Sequence, residues 1–397
     1  MNRLANLSDE IKQYLVVTGN YWAFTLTDGA LRMLVVLYFH QLGYSPLSIA
    51  MLFLFYEIFG VITNLVGGWL GARLGLNKTM NIGLGIQVIA LLMLAVPADW
   101  LTVVYVMAAQ ALSGIAKDLN KMSAKSSIKM LVAENQQGTL FKWVAILTGS
   151  KNALKGVGFF LGGILLTLVG FKGAVLLMAG VLLLVWCYSL YALKSDLGKA
   201  KNKPKFSDIF SKSSAVNTLS AARLFLFGAR DVWFVVALPV YLSQVFNWDH
   251  WWVGGFLASW VIGYGLVQSL APKIIQQSNS ANPALWAFLL AFVPLFIAIS
   301  VHFAWQIEVV IIAGLLLFGV LFAINSSLHS YLIVSLANKE GVSLDVGFYY
   351  MANAMGRLIG TVLSGWVYQH YGLAACLLIS SLMIVIAALA ASKLPKQ

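Results

Sequence analysis

The sequence predicts an all-helical membrane protein with twelve transmembrane helices in two pseudo-symmetric six-helix bundles. Three observations carry that expectation. Of the 397 residues, 60% are hydrophobic and only 10% charged, where a soluble chain carries about a quarter charged residues. Apolar runs long enough to cross a bilayer, about 20 residues each, recur along the whole length. Two stretches on either side of a polar centre also repeat each other. "LKGVGFFLGGILLTLVGFKG" (Leu154–Gly173) aligns with "GRLIGTVLSGWVYQHYGLAA" (Gly356–Ala375), which sets Lys155 on Arg357, Gly158 on Gly360, Gly163 on Gly365 and Gly170 on Gly372.

Taken in order, the spans fall at 14–40, 47–71, 79–97, 101–120, 140–169, 174–193, 213–245, 252–271, 283–301, 305–330, 344–369 and 373–391. The segment before Tyr14 carries Arg3, Asp9, Glu10 and Lys12. It lacks the basic-then-apolar order of a secretory signal, so the first span is expected to be retained. With Met1 on the cytoplasmic side, the loop after span two carries Arg73 and Lys78, and the loop after span four carries Lys121, Lys125 and Lys129. The stretch "KSDLGKAKNKPKFSDIFSK" (Lys194–Lys212) adds six lysines as a solvated linker, whereas the opposite side offers Lys172 with Asp99, Asp249 and Glu308. That bias places both termini in the cytoplasm and accounts for the net charge of +12 without a nucleic-acid partner. It divides the chain into an N-terminal bundle (1–193), a cytoplasmic linker (194–212) and a C-terminal bundle (213–397).

A shift of 203 residues sets Asp28 on Asp231, close to the 202 that relates the other repeated positions. Parallel six-helix halves around a central cytoplasmic loop resemble the major facilitator architecture. "GWLGARLGLNK" (Gly68–Lys78) is similar to the signature after the second helix of that superfamily, with Ala72 where an acid usually stands. Gly67, Gly71 and Gly75, four residues apart, suit close helix packing. Gly149, Gly158, Gly162 and Gly163 partly match the span-five pattern of exporters in that superfamily, with Phe159 in place of its proline.

Ionisable groups at mid-bilayer cost roughly 2.5–3.5 kcal/mol on insertion scales and normally face a cavity or a partner. Span one carries Asp28 and Arg32, span two Glu57, span five Lys151 and Lys155, span seven Arg223, Arg230 and Asp231, and span eleven Arg357. Six cations stand against three acids, and the surplus calls for a counter-anion. Arg32, Lys151, Lys155, Arg223, Arg230 and Arg357 are therefore the expected substrate ligands, because guanidinium forks and lysine ammonium groups suit phosphate and carboxylate oxygens. Asp28, Glu57 and Asp231 serve either in structural pairing and gating or in proton coupling. Asp28 and Arg32 are also placed to pair along one helix face. Lys117 and Lys121 open a four-spaced stripe, "KDLNKMSAKSSIK" (Lys117–Lys129), read as a positive-inside run and a cytoplasmic entrance that attracts anions. Of five histidines, His40, His250, His302 and His370 fall near outer helix ends and His329 lies in span ten, where Asn325, Ser326 and Ser327 beside it contact either a ligand or another helix.

Cys187 and Cys376, both in apolar runs, are expected to pack and suit neither a disulfide framework nor a thiolate metal site. "GARLGLNKT" (Gly71–Thr79) lacks the glycine–lysine pair of a phosphate loop, and no nucleophile elbow or zinc-helix motif is present. The expectation is a carrier with no cofactor and no metal, not an enzyme.

Four stretches narrow this further: "YWAFTLTDGALRMLVV" (Tyr21–Val36), "ALSGIAKDLNKMSAKSSIKML" (Ala111–Leu131), "TGSKNALKGVGFFLGG" (Thr148–Gly163) and "LFGARDVWFVVALPVYL" (Leu226–Leu242). With these the chain resembles the ArsJ family of organoarsenical efflux permeases over essentially its whole length. The resemblance implies export of 1-arseno-3-phosphoglycerate from the inner membrane of a bacterium by a monomeric antiporter. It implies arsenate resistance and a functional link to glyceraldehyde-3-phosphate dehydrogenase, which forms that ester. It supplies no binding residues. An organophosphate/phosphate exchanger of the same superfamily is the alternative. An arsenite pump is excluded, since soft trivalent arsenic needs thiolates that two distant cysteines do not provide.

Overall fold

The computed structural model describes residues 8–44, 52–133, 135–193, 197–201, 204–210, 213–248, 250–275 and 282–395. Lys194, Lys203, Lys212 and Asp249, and the expected start of span two at 47, lie outside the described residues. The helices are α1 (Asp9–Gln41), α2 (Leu54–Leu74), α3 (Leu76–Met93), α4 (Val103–Leu131), α5 (Gln137–Ala192), α6 (Ser214–Phe234), α7 (Ala237–Val245), α8 (His250–Ile275), α9 (Pro283–His302), α10 (Ile307–Leu336) and α11 (Val342–Ala391).

Local chemistry explains most boundaries. Asp9 and Glu10 occupy the first turn of α1, where carboxylates suit the helix dipole. Thr102 caps α4 by accepting from the Tyr105 amide at 3.3 Å, and Asn282 caps α9 with Pro283 following. Gly75, at φ +99°, makes the tight corner between α2 and α3 that a side chain would oppose.

Two helices are far too long for one crossing. At 1.5 Å per residue α5 would extend about 84 Å, against a hydrocarbon core of about 30 Å. Each contains one left-handed glycine, Gly170 in α5 (φ 69°, ψ 176°) and Gly372 in α11 (φ 74°, ψ −176°). These positions are equivalent in the repeat, so one backbone break occurs at the same place in both halves. The arms on either side of Gly170 are the fifth and sixth spans; those on either side of Gly372 are the eleventh and twelfth. Span seven is broken as well, into α6 and α7. Ser364 Oγ on α11 accepts from the amides of Val236 (3.3 Å) and Ala237 (3.1 Å) at that break, satisfying groups that lipid would leave unpaired.

Span four outlasts its expected end at 120, because α4 continues to Leu131. Lys121, Lys125 and Lys129 are therefore helical, not in a loop. Their four-residue spacing keeps them on one face, where each finds an oxygen: Asp118 for Lys121 at 2.6 Å, Thr148 for Lys125 at 2.5 Å and the Ser335 carbonyl for Lys129 at 2.7 Å.

The linker is docked as well as solvated. Leu197 O accepts from the Leu76 amide at 2.8 Å, the Ala200 amide donates to Ala72 O at 2.9 Å, and Trp69 Nε1 donates to Pro204 O at 3.1 Å. The described linker thus caps the α2–α3 corner.

One apolar core joins α1, α3, α4 and α5 and continues into Leu332, Ile333 and Val334 of α10 and Val346 and Tyr349 of α11. A second core draws only on residues from Leu226 onward. The halves are fastened on the side where the linker lies. Ser343 Oγ donates to Gly68 O at 2.7 Å, Lys129 holds Ser335, and Tyr331 OH donates to Gln137 at 3.2 Å. A Cβ on Gly68 would stand 2.4 Å from Ser343 O. Gly67 and Gly71 do pack closely, against Leu119 and Met122, while Gly75 is the corner and Gly68 makes the approach to α11. Leu176, Leu177, Val181 and Leu184 on the second arm of α5 are exposed, as a lipid-facing surface requires. Cys187 shares that arm and is exposed, not packed as expected; Cys376 is buried.

Candidate functional site

Glycine contacts set the positions of the central charges. A Cβ on Gly29 of α1 would lie 2.8 Å from the Lys155 carbonyl of α5, and one on Gly158 would lie 2.8 Å from Leu26 O. The helices touch backbone to backbone there, which brings Asp28 and Arg32 alongside Lys155. In the second half Gly360 of α11 meets Gly228 of α6 in the same way, with Gly228 O 2.6 Å from a Cβ on Gly360, and this sets Asp231 against Arg357. The carbonyl that Gly158 meets is Leu26 O and the one that Gly360 meets is Gly228 O, a shift of 202 residues that lies within one residue of the 203 that sets Asp28 on Asp231.

The charges form a ladder across the two halves. Arg32 Nη2 lies 2.9 Å from Glu57 Oε1, and the same oxygen lies 3.5 Å from Arg357 Nη2. Arg357 Nε lies 3.2 Å from Asp231 Oδ2, and Asp231 Oδ1 receives Arg230 at 2.5 Å. The Arg32 guanidinium also covers the Tyr56 ring at 4.3 Å. Asp28 does not pair with Arg32: its Oδ1 accepts from Tyr56 OH at 2.8 Å, because α2 presents Tyr56 to Asp28 and Glu57 to Arg32. Arg32, Glu57, Arg230 and Arg357 remain 22%, 30%, 15% and 28% exposed, so the ladder is accessible to water or to a solute.

Other cations lack a carboxylate. Among the described residues none comes within ion-pair distance of Lys125, Lys151, Lys155 or Arg223. Lys151 Nζ lies 3.3 Å from Asn152 Oδ1. Lys155 Nζ lies 6.0 Å from the Phe159 ring. Arg223 is held by neutral acceptors, Asn353 Oδ1 at 2.9 Å and Ser326 Oγ at 3.0 Å, and stacks 3.9 Å over Phe227.

Lys117 and Lys121 face this cluster. Lys117 Nζ stands 3.8 Å over the Tyr56 ring that Arg32 also covers, and both lysines hold Asp118, at 3.7 and 2.6 Å. Sequence reasoning assigned no role to Asp118 and placed Lys125 only in the positive-inside stripe and cytoplasmic entrance. The four-residue spacing of "KDLNKMSAKSSIK" was the available signal, once read as a helix face instead of a loop. Ser326 is a hydrogen-bonding hub that also receives Tyr264 and Gln268. His329 is buried with neither ring nitrogen partnered, and no cluster of metal-ligating side chains occurs among the described residues.

With the α4 residues included, nine cations (Arg32, Lys117, Lys121, Lys125, Lys151, Lys155, Arg223, Arg230, Arg357) surround four acids (Asp28, Glu57, Asp118, Asp231). The arrangement can receive an anion, first at the lysines and then at the arginines when the acids release them.

The family profile described as Major Facilitator Superfamily matches residues 17–344. No curated protein matches the chain. Among solved structures, the human organic anion transporter MFSD10 (TETRAN) superposes with a TM-score of 0.77 at 17% identity, covering 97% of this chain and 100% of that one. The transporter FucP in its outward conformation gives 0.75 at 12% identity, covering 98% and 100%. The proton:xylose symporter XylE gives 0.73 at 13% identity, covering 96% and 94%.

Proposed function

The chain belongs to the major facilitator superfamily, and on that premise we propose that it exports an anionic organoarsenical, 1-arseno-3-phosphoglycerate, by alternating access. The observation that carries this reading is the set of acid-free cations, the part-buried Lys151 and Lys155 and the buried Arg223, beside a ladder in which Glu57 and Asp231 occupy three arginines. A cation surplus inside lipid needs a counter-charge, and an ester with a phosphate at one end and an arsenate at the other supplies it. Lys151 and Lys155 receive the oxyanions. Arg32, Arg230 and Arg357 engage as the cargo displaces Glu57 and Asp231, and Asp28 stays with Tyr56. Displacing Glu57 from Arg357 unfastens a link between the halves, which ties cargo binding to the change of access.

The resemblance to organoarsenical permeases supports the choice of cargo. The same reading places the carrier as a monomer in the inner membrane of a bacterium, with both termini cytoplasmic, the linker side facing the cytoplasm and a dehydrogenase of the glyceraldehyde-phosphate type forming the ester. Spontaneous breakdown outside the cell then gives arsenate resistance.

The test is arsenic uptake into everted membrane vesicles supplied with that dehydrogenase, glyceraldehyde 3-phosphate, its nicotinamide cofactor and arsenate. Uptake that needs all components, and is lost in Arg32→Gln and Arg230→Gln with the protein still folded, supports the proposal. Exchange of labelled inorganic phosphate against phosphate esters with no arsenic uptake would make the protein an organophosphate exchanger instead.

A further inference from the structure

Lys125 sits among cations. Lys121 stands over the Tyr350 ring at 4.8 Å, and Lys125 itself is 2% exposed. It donates to the Thr148 hydroxyl, although an ammonium has three donors. Its Nζ stands 5.1 Å from the Tyr350 ring, and Arg223, from the other half, stands 5.2 Å from the adjoining Tyr349 ring. The two tyrosine rings meet edge to face at 4.9 Å, so Lys125 and Arg223 flank one aromatic pair. A hydrogen-bond chain runs from Arg223 through Ser326, Gln268 (3.2 Å) and Asn152 (2.7 Å) to Lys151 (3.3 Å). Three cations on α4, α5 and α6 are thus linked through side chains of both halves, on the side that Lys129–Ser335 fastens.

Neutral dipoles alone are a poor match for such a group, since a buried charge without a counter-charge is heavily penalised. We propose that Lys125, Lys151 and Arg223 form a second oxyanion pole for a tetrahedral dianion of the phosphate or arsenate type, separate from an outer pole at Lys155 and Arg32. The inference rests on the anion-carrier reading above. Along α5, Thr148, which holds Lys125, and Lys155 are seven residues apart, a rise of about 10 Å, and a three-carbon chain with an oxyanion at each end spans that length. The inner pole draws residues from both halves, so it is assembled only while the linker side is shut.

The experiment uses the purified full-length protein in nanodiscs and ligand-induced thermal stabilisation with two probes, glycerol 3-phosphate and glycerol 1,3-bisphosphate. The bisphosphate is expected to bind at least about tenfold more tightly, as one further charge-assisted contact set provides. In Lys125→Gln the ratio of the two affinities falls towards one, and Lys125→Arg keeps it. Arg223→Gln reads the same pole from the other half if Lys125→Gln does not fold. Equal binding of the two probes by the native protein, or a ratio that survives both substitutions, overturns the second pole and leaves the anion carrier standing. Binding of neither probe overturns both.

Discussion

Replacing Glu57 by Gln tests the competition built into the ladder. One oxygen, Glu57 Oε1, lies 2.9 Å from Arg32 and 3.5 Å from Arg357. A fully buried pair that loses one partner costs about 3–5 kcal/mol, and a surface pair about 0–1. With side chains 22–30% exposed, the loss here falls between, at about 2 kcal/mol. The free protein should therefore unfold at lower temperature. Anion affinity should move the other way, because Glu57 no longer occupies the two guanidiniums that the cargo needs. One charge-assisted contact released to the ligand corresponds to about tenfold tighter binding. Turnover should fall, since the link between the halves no longer forms as the cargo leaves. Thermal stabilisation by inorganic phosphate gives the affinity, and vesicle flux gives the turnover. Weaker phosphate binding in Glu57→Gln would refute the reasoning, because the carboxylate would then be supporting the anion instead of competing with it.

Lys151→Gln and Lys155→Gln each remove an acid-free cation, and each should weaken phosphate binding about tenfold in the same assay while leaving the unliganded melting temperature near that of the native chain. Gly158→Val drives a side chain into Leu26 O, 2.8 Å from the Cβ position, and should abolish folded yield on size-exclusion chromatography, whereas Gly163→Ala, whose nearest neighbour is Leu37 Cδ1 at 3.7 Å, should be tolerated. Ser364→Ala strands the Val236 and Ala237 amides at the α6–α7 break and should lower stability by about 1–3 kcal/mol, read as a reduced denaturation midpoint.

The architecture was legible because hydropathy and the glycine repeat are local signals that tertiary packing reinforces. Gly170 and Gly372, aligned by sequence alone, turn out to be the two left-handed breaks that let one continuous helix make two spans. The site was legible as a list of charges but not as a set of partners. Partner choice depends on helix rotation. Asp28 and Arg32 share a face by spacing, yet α2 divides them between Tyr56 and Glu57. Composition led to the wrong position for the α4 lysines, since a polar stripe in a membrane protein reads as a loop until a second polar surface is known to cover it. That surface comes from Thr148, Ser335 and the tyrosines of α11, all distant in sequence.

The two apolar cores are unequal partners in the working cycle. The first reaches into Leu332, Ile333 and Val334 of the opposite half, while the second stays within its own. Tilting the bundles apart at the linker end must wet those side chains. In this structure the linker-side end is the closed one, held by Ser343–Gly68, Lys129–Ser335 and Tyr331–Gln137. On the export role proposed above, that closure would keep ordinary phosphorylated metabolites from the site until a cargo offsets the wetting.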